Sequence, residues 1–145
     1  MSKLNEIQQA LKAPKGQRNS FGNYNYRSCE DILEAVKPLL GSATLTLTDE
    51  VVEVGGRVYV KATARFYTGN ECNATEDVSV SAYAREAETK KGMDAAQITG
   101  SASSYARKYA LNGLFCIDDT KDADATNTHG NKKSEPIEDD GSIPF

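Results

Sequence analysis

Three basic residues recur at every fourth position in one segment of the chain, with tyrosines between them. The cations are Arg57, Lys61 and Arg65, and the interleaved aromatic residues are Tyr59 and Tyr67. On a β-strand all five would share one face, with successive cations ~13 Å apart at ~3.3 Å per residue. Cations at this spacing can follow a phosphate backbone, and aromatic rings can stack on bases of any sequence. The alternative is an ordinary solvated strand face.

Further basic residues lie in two later segments. Lys90 and Lys91 follow Arg85 in a charged connection, where they form either a basic rim or a solvated loop. Arg107 and Lys108 are adjacent in a predicted helix, so their side chains point in different directions and at least one should face outward. Surface solubility is the alternative explanation for this pair. All five are candidates for contact with a nucleic acid.

Carboxylates cluster just after the last predicted helix. Asp118, Asp119, Asp122 and Asp124 could hold a weak Mg²⁺ or Ca²⁺ site, but they lack the Gly turn and later Glu of an EF-hand loop. A solvated start to an acidic tail is the simpler interpretation, so no metal site is predicted. The sequence shows no nucleophile–base pair, P-loop or zinc spacing. We therefore expect no enzymatic activity, no cofactor and no use of ATP.

The length of 145 residues suggests one domain, which we expect over residues 1–118, followed by a disordered acidic tail over residues 119–145. The net charge of −4 is unevenly distributed. Residues 1–113 contain 14 Lys or Arg and 13 Asp or Glu, whereas residues 114–145 contain 3 and 8. This asymmetry indicates a nucleic-acid surface combined with an acidic interaction tail. Without a run of 18 apolar residues, no membrane span is expected.

The three cysteines are odd in number and far apart, and no two have metal-ligand spacing. They are Cys29, Cys72 and Cys116. A reduced, cytoplasmic protein is the simple interpretation, and Cys72 and Cys116 are predicted to be small core residues. The polar start of the chain predicts no signal peptide.

Hydrophobic periodicity predicts helices over residues 2–13 and from residue 28 onward. Ser28 and Asp31 have the spacing of a capping box, in which each side chain accepts a hydrogen bond from a backbone amide at the helix start. Residues 14–26, rich in Gly, Asn and Tyr, are predicted to form a loop between the two helices.

Alternating patterns predict three strands, over residues 44–54, 57–68 and 71–83. Gly55–Gly56 is a strong two-residue hairpin signal, because both glycines accept positive φ. A charged connection over residues 85–92 then leads to the last predicted element.

Residues 93–111, MDAAQITGSASSYARKYAL, predict a long helix made mostly of Ala, Gly, Ser and Thr. Asp94 can cap its start and Gly113 can end it. Small side chains let a helix lie close to a sheet or to another subunit, which suits an oligomeric scaffold better than an enzyme pocket. Helix, helix, three-stranded antiparallel meander and long helix together make an α+β domain.

The final residues resemble the tail of bacterial single-stranded DNA-binding protein (SSB), in which an acidic run precedes Ile-Pro-Phe. A terminal Phe would supply an apolar anchor with a carboxylate for Arg or Lys, and the acids would steer it toward a basic rim. Gly141–Ser142 departs from the usual tail, which has another acid there. The resemblance implies docking to host SSB-interacting replication and repair proteins through Glu138, Asp139, Asp140, Ile143, Pro144 and Phe145.

Two segments carry a second resemblance, YNYRSCEDILEAVKPLL at residues 24–40 and the block at residues 96–124. They resemble the Erf family of phage recombination proteins, which anneal single-stranded DNA. The resemblance implies the fold of the Rad-type annealing proteins, a β-meander packed on a long helix, and assembly of identical subunits into a ring or helical filament. Single-stranded DNA would lie in a basic groove with its bases exposed. The candidate DNA contacts, chosen by charge and face, are Arg57, Tyr59, Lys61, Arg65, Arg85, Lys90, Lys91, Arg107 and Lys108.

Two other functions stay open at this point. A single-stranded DNA-binding protein could protect DNA without pairing it, although a five-stranded OB barrel would need more strands and fewer helices. Alternatively, the chain could be an adaptor or decoy whose acidic tail competes for the partners of host SSB without binding DNA.

Overall fold

The computed structural model describes residues 2–89 and 91–117, apart from the side chain of Tyr24. These residues form three helices and two antiparallel sheets, which confirms the predicted α+β class. The elements in chain order are α1 (Lys3–Ala10), β1 (Gln17–Asn19), β2 (Tyr24–Tyr26), α2 (Cys29–Leu40), β3 (Thr44–Val54), β4 (Arg57–Asn70), β5 (Asn73–Arg85) and α3 (Ala95–Phe115).

The larger sheet has the order β3-β4-β5, so the predicted meander is confirmed. Gly55 and Gly56 join β3 to β4 with φ values of 60° and 78°, which favour glycine. The register places Thr63 opposite Thr48 on β3 and opposite Ser81 on β5. Because successive side chains of a strand point to opposite faces of a sheet, alternate residues of β4 face opposite sides.

The long helix α3 covers one side of this sheet through small side chains. Ala106 and Ala110 are completely buried, as are Ala62 and Ala64 on β4, and all belong to one core cluster. At Gly113, a Cβ atom would lie only 3.0 Å from Cγ1 of Val80. The predicted close approach of this helix to the sheet is thus confirmed.

The helices α1 and α2 close the core beside α3. Leu4 and Ile7 of α1 and Ile32 and Val36 of α2 are buried, and burying each such side chain stabilises the fold by about 1.5–3 kcal/mol. The capping box predicted at the start of α2 is present, since Ser28 Oγ accepts a hydrogen bond from the amide of Asp31 and the Asp31 side chain accepts one from the amide of Ser28.

A carboxylate from the sheet holds the start of α1. Glu76 of β5 accepts hydrogen bonds from the backbone amides of Lys3 at 3.1 Å and Leu4 at 3.2 Å. The first amides of a helix have no partner within the helix, so this side chain on a distant strand satisfies two of them.

Several predicted boundaries were wrong. Residues 14–26 contain the β1–β2 hairpin and are not simply a loop, and α1 ends at Ala10. The helix α3 continues past Gly113 to Phe115 and ends with Cys116 in the left-handed region at φ 55°. Strand β5 begins at Asn73, because the turn after β4 lies two residues later than predicted.

The prediction that Cys72 and Cys116 are core residues was also wrong. Both are exposed, whereas Cys29 is buried, and none of the three forms a disulfide. Cys72 lies in the turn between β4 and β5, and Cys116 caps the end of α3. Composition suggested burial at both positions, but turns and helix ends expose even small apolar side chains.

Candidate nucleic-acid interface

The side of the sheet opposite α3, here called the open face, contains no buried residue. It is formed by alternate residues of β3, β4 and β5, and most of them are Thr, Ser, Tyr, Arg or Lys. Among the described residues the core lies entirely on the other side of the sheet, with Val60, Ala62, Ala64 and Phe66 of β4. The predicted alternation of β4 is therefore confirmed, and its basic stripe faces solvent.

One end of the open face combines cations with aromatic rings, and we call its residues the basic-aromatic cluster. Tyr59 lies directly opposite Arg85, and Lys61 lies directly opposite Tyr83. Lys61 Nζ is 5.9 Å from the centre of the Tyr83 ring, and Tyr83 is 54% exposed. Arg57, at the start of β4, is also exposed and completes the cluster. Strand pairing thus adds Tyr83, which the sequence pattern of β4 alone did not include.

At the other end of the open face, Arg65 is held by acids of the protein itself. Its guanidinium donates hydrogen bonds to Asp77 at 2.9 and 2.8 Å, lies 3.4 Å from Glu71, and stacks 4.6 Å from the centre of the Tyr67 ring. The hydrogen bond from Arg65 lowers the pKa of Asp77. The sequence shows no acid on this face of β4, but neighbouring Asp77 neutralises the cation.

The two basic residues predicted on α3 make contacts within the protein. The side chain of Arg107 is 36% exposed and pairs with Asp49 of β3 at 2.9 Å. Lys108 is only 8% exposed, with Nζ 6.0 Å from the centre of the Tyr26 ring. The expectation that one of them would face outward is met only partly, by Arg107.

The remaining candidates divide between the described residues and the rest of the chain. Lys91 is exposed in the connection before α3. Lys90 and the tail residues Glu138, Asp139, Asp140, Ile143, Pro144 and Phe145 lie outside the described residues, as do the acids of residues 118–124 and the predicted disorder of residues 119–145. Their predicted roles stay predictions.

A cleft of about 260 Å³ lies between the start of α2 and the middle of α3. Two of its residues, Arg27 and Lys108, are buried cations at 7% and 8% exposure, and Arg27 Nε donates a 2.6 Å hydrogen bond to the carbonyl of Ala13. Sequence reasoning missed Arg27 and Tyr105 as possible site residues, since they are far apart in the chain. The cleft is lined by Tyr26, Arg27, Ser28, Cys29, Glu30, Ser101, Ser104, Tyr105 and Lys108.

The β1–β2 hairpin, which the sequence analysis did not predict, presents an aromatic residue to solvent. Phe21 at its tip is fully exposed. The tip is shaped by Asn19, whose Oδ1 accepts hydrogen bonds from the amides of Phe21 at 2.9 Å and Gly22 at 3.0 Å. A run of Gly, Asn and Ser around an aromatic residue was the available sequence signal for this hairpin.

Neither a membrane helix nor a metal cluster occurs in the part of the chain that the structure describes. No helix there is long and apolar enough to cross a lipid bilayer. The same residues contain no group of three or more His, Cys, Asp or Glu side chains arranged to hold a metal ion.

Comparison with known proteins shows the family of this chain. The profile of the ERF superfamily matches residues 1–140. This chain belongs to the ERF superfamily. One ERF relative, the "Essential recombination function protein" of Salmonella phage P22, is 56% identical over 143 residues, which are 99% of this chain and 67% of the relative. No solved structure matches this ERF chain. The resemblance to the Erf family that the sequence suggested is thus confirmed.

Proposed function

We propose that this chain acts in phage recombination by binding single-stranded DNA and annealing complementary strands without ATP. The recombination role follows from membership of the ERF superfamily and from the name of the phage P22 relative. The observation that carries the DNA-binding step is the pairing of Tyr59 with Arg85 and of Lys61 with Tyr83 on the open face. Each pair places a cation beside an aromatic ring on two neighbouring strands.

This arrangement fits a single strand better than a duplex. Single-stranded nucleic acids are bound by cations that follow the backbone and by aromatic rings that stack on bases, with little dependence on sequence. The open face has both. A strand lying on such a face would keep part of each base accessible, as pairing with a second strand requires.

Annealing of two complementary, fluorescently labelled oligonucleotides tests the proposal directly. The full chain should accelerate pairing over the protein-free rate without ATP, and the acceleration should weaken as salt rises, because phosphate contacts release counterions. The double variant Arg57→Ala, Lys61→Ala should lose most of the acceleration. Lys37→Ala, an exposed lysine on α2 away from the open face, is the matched control.

Two outcomes would replace the proposal. Tight binding of single strands without acceleration would indicate a protective DNA-binding protein. No DNA binding even at low salt would leave an adaptor or decoy for the partners of host SSB, acting through its acidic tail.

We also propose that identical subunits assemble, as a ring or a helical filament. The supporting feature is the outer side of α3, where Tyr105 and Tyr109 are 53% and 47% exposed and their rings lie 6.3 Å apart. Beside them is a mainly apolar groove of about 360 Å³. Light scattering coupled to gel filtration should give a mass of several chains, and Tyr105→Ser with Tyr109→Ser should reduce it. A wild-type mass of one chain would reject assembly.

The last part of the proposal concerns the tail resembling that of SSB. We expect Glu138, Asp139, Asp140, Ile143, Pro144 and Phe145 to bind host replication and repair proteins that recognise SSB. Deleting residues 143–145 should abolish binding to such a protein, whereas annealing of bare DNA should not fall below the wild-type rate. Undiminished partner binding after the deletion would reject this role of the tail.

A further inference from the structure

The acidic residues after α3 complement the basic end of the open face in charge. Residues 118–145 contain 8 Asp or Glu and 3 Lys or Arg, whereas the residues before them contain 13 and 14. All of the net negative charge of the chain is therefore in one segment. On the open face itself the basic-aromatic cluster carries three cations, Arg57, Lys61 and Arg85, and one acid, Glu50, which lies opposite Lys61. Two acids of the connection that follows β5, Glu86 and Glu88, line a pocket together with Arg57 and Arg85.

The segment also shares its chemistry with a single strand of DNA. A single strand offers negative charges at intervals together with flat aromatic bases. Residues 118–145 offer carboxylates together with the apolar residues Ile137, Ile143, Pro144 and Phe145. A surface suited to phosphates and bases is suited to this segment for the same two physical reasons, attraction of opposite charges and burial of apolar groups on exposed tyrosine rings.

The chain after α3 is long enough to reach the cluster. The helix α3 begins near the cluster, because Thr99 Oγ1 donates a hydrogen bond to Glu86, the residue after Arg85. Its 21 residues span about 32 Å at 1.5 Å per residue. The 28 residues after Ile117 can extend to about 95 Å. Nothing in the described residues covers the cluster, since Tyr83 is 54% exposed.

We infer that residues 118–145 bind the basic-aromatic cluster of the open face and compete there with single-stranded DNA. The inference rests on the proposed function, because it takes the open face as the DNA-binding surface. It gives the tail a second role besides partner binding. A partner that takes the tail would free the open face, so partner docking and DNA binding would be coupled.

Carbodiimide crosslinking of the full chain in low salt tests the contact without any DNA. This reagent joins a carboxylate to a lysine amine as an amide, so mass spectrometry can identify which lysine the tail meets. Lys61 should be joined to peptides from residues 118–145, and 0.5 M salt should suppress the product. Lys61→Arg keeps the charge and removes the amine, so it should remove the crosslink. Tail crosslinks at the exposed Lys12 or Lys37 without Lys61 would overturn the inference.

A second variant of the full chain tests the competition. Replacing the eight acids of residues 118–145 by Asn or Gln should tighten binding to an oligo-dT probe several-fold at low salt, and the advantage should shrink as salt rises. The matched control replaces an equal number of neutral residues in the same segment by Ala. Equal affinity of the wild-type and neutralised chains would overturn the inference. If neither chain binds the probe, the proposed function fails, while the Lys61 crosslink still decides whether the tail lies on this face.

Discussion

Arg107 of α3 donates a hydrogen bond from Nε to Oδ1 of Asp49 on β3 across 2.9 Å, which ties the long helix to an edge strand of the sheet. Ser103 Oγ donates to the other oxygen of the same carboxylate. Burial acts to raise the pKa of Asp49, but the hydrogen bonds from Arg107 and Ser103 outweigh it and keep the pKa below its usual value. Arg107, which the sequence analysis gives as a candidate DNA contact, therefore also joins α3 to the sheet.

We expect Asp49→Asn to lower the free energy of unfolding at pH 7 by about 0.2–1 kcal/mol, the usual range for an exposed ion pair. The carboxyl pKa is lower in the folded state than its unfolded value of about 3.9, so this stabilisation is complete above pH 4–5 and disappears as the pH falls through the folded-state pKa. Urea unfolding of the wild type and of Asp49→Asn at a series of pH values measures this stabilisation. Glu53→Gln, which changes an exposed acid on the same strand, is the control. If Asp49→Asn lowered the free energy of unfolding by the same amount at pH 2 as at pH 7, the Asp49 carboxylate would not be the source of the stabilisation.

Removing a ring and removing a cation from the open face should affect DNA binding differently. Tyr83→Ser should weaken binding to oligo-dT by about 1–3 kcal/mol for the lost stacking, with little change in salt dependence. Lys61→Ala should lower the slope of log K against log salt by about 0.7, the value for one phosphate contact on a single strand. Fluorescence anisotropy at several salt concentrations separates the two effects.

The effect of Arg65→Ala on DNA affinity should be smaller than that of Lys61→Ala. The reason is that Asp77 already holds the Arg65 guanidinium through two hydrogen bonds. The same titrations give the comparison. An equal or greater loss at Arg65 would mean that DNA displaces Asp77 and that the whole stripe on β4 is used.

The contact between α3 and the sheet should tolerate no larger side chain. Ala106 is completely buried, so Ala106→Leu should destabilise the fold by about 1–3 kcal/mol through overpacking. Ala96→Leu, on an exposed turn of the same helix, should change stability by less than about 0.5 kcal/mol. Chemical denaturation of both variants checks this. Equal stability of the two variants would show that the helix can move away from the sheet at little cost.

The capping box of α2 should contribute a measurable part of the stability. Ser28→Ala removes the acceptor for the amide of Asp31, and loss of such a cap costs about 1 kcal/mol. Ser20→Ala, at an exposed position in the β1–β2 hairpin, is the control for the serine-to-alanine change. A midpoint of thermal unfolding that is the same in both variants would argue against the cap.

Elements with a local signal could be predicted from the sequence. The strands β3 and β4 and the hairpin at Gly55–Gly56 follow from alternation and from glycines that accept positive φ. The start of α2 follows from the Ser28–Asp31 capping box. The close approach of α3 to the sheet follows from its small residues. In each case the determining residues lie within a few positions of one another.

Features that depend on distant residues could not be predicted in the same way. The neutralisation of Arg65 requires Asp77, which reaches it only because β5 pairs with β4. Likewise, Tyr83 joins the basic-aromatic cluster through strand register. Arg27 and Lys108 line the same cleft only because the start of α2 lies beside the middle of α3. The β1–β2 hairpin was missed because its strands have three residues each, too few to show a periodic pattern.

The hydrogen bonds from Lys3 and Leu4 to Glu76 have a consequence for the order of folding. They link residues 72 and 73 positions apart in the chain, and a helix of eight residues is only marginally stable by itself in water. The helix α1 should therefore become protected late, after β5 has paired with β4. Pulse-labelled hydrogen exchange during refolding should find the amides of α1 among the last to be shielded, and Glu76→Gln should shorten their lifetime in the closed state without slowing formation of the sheet.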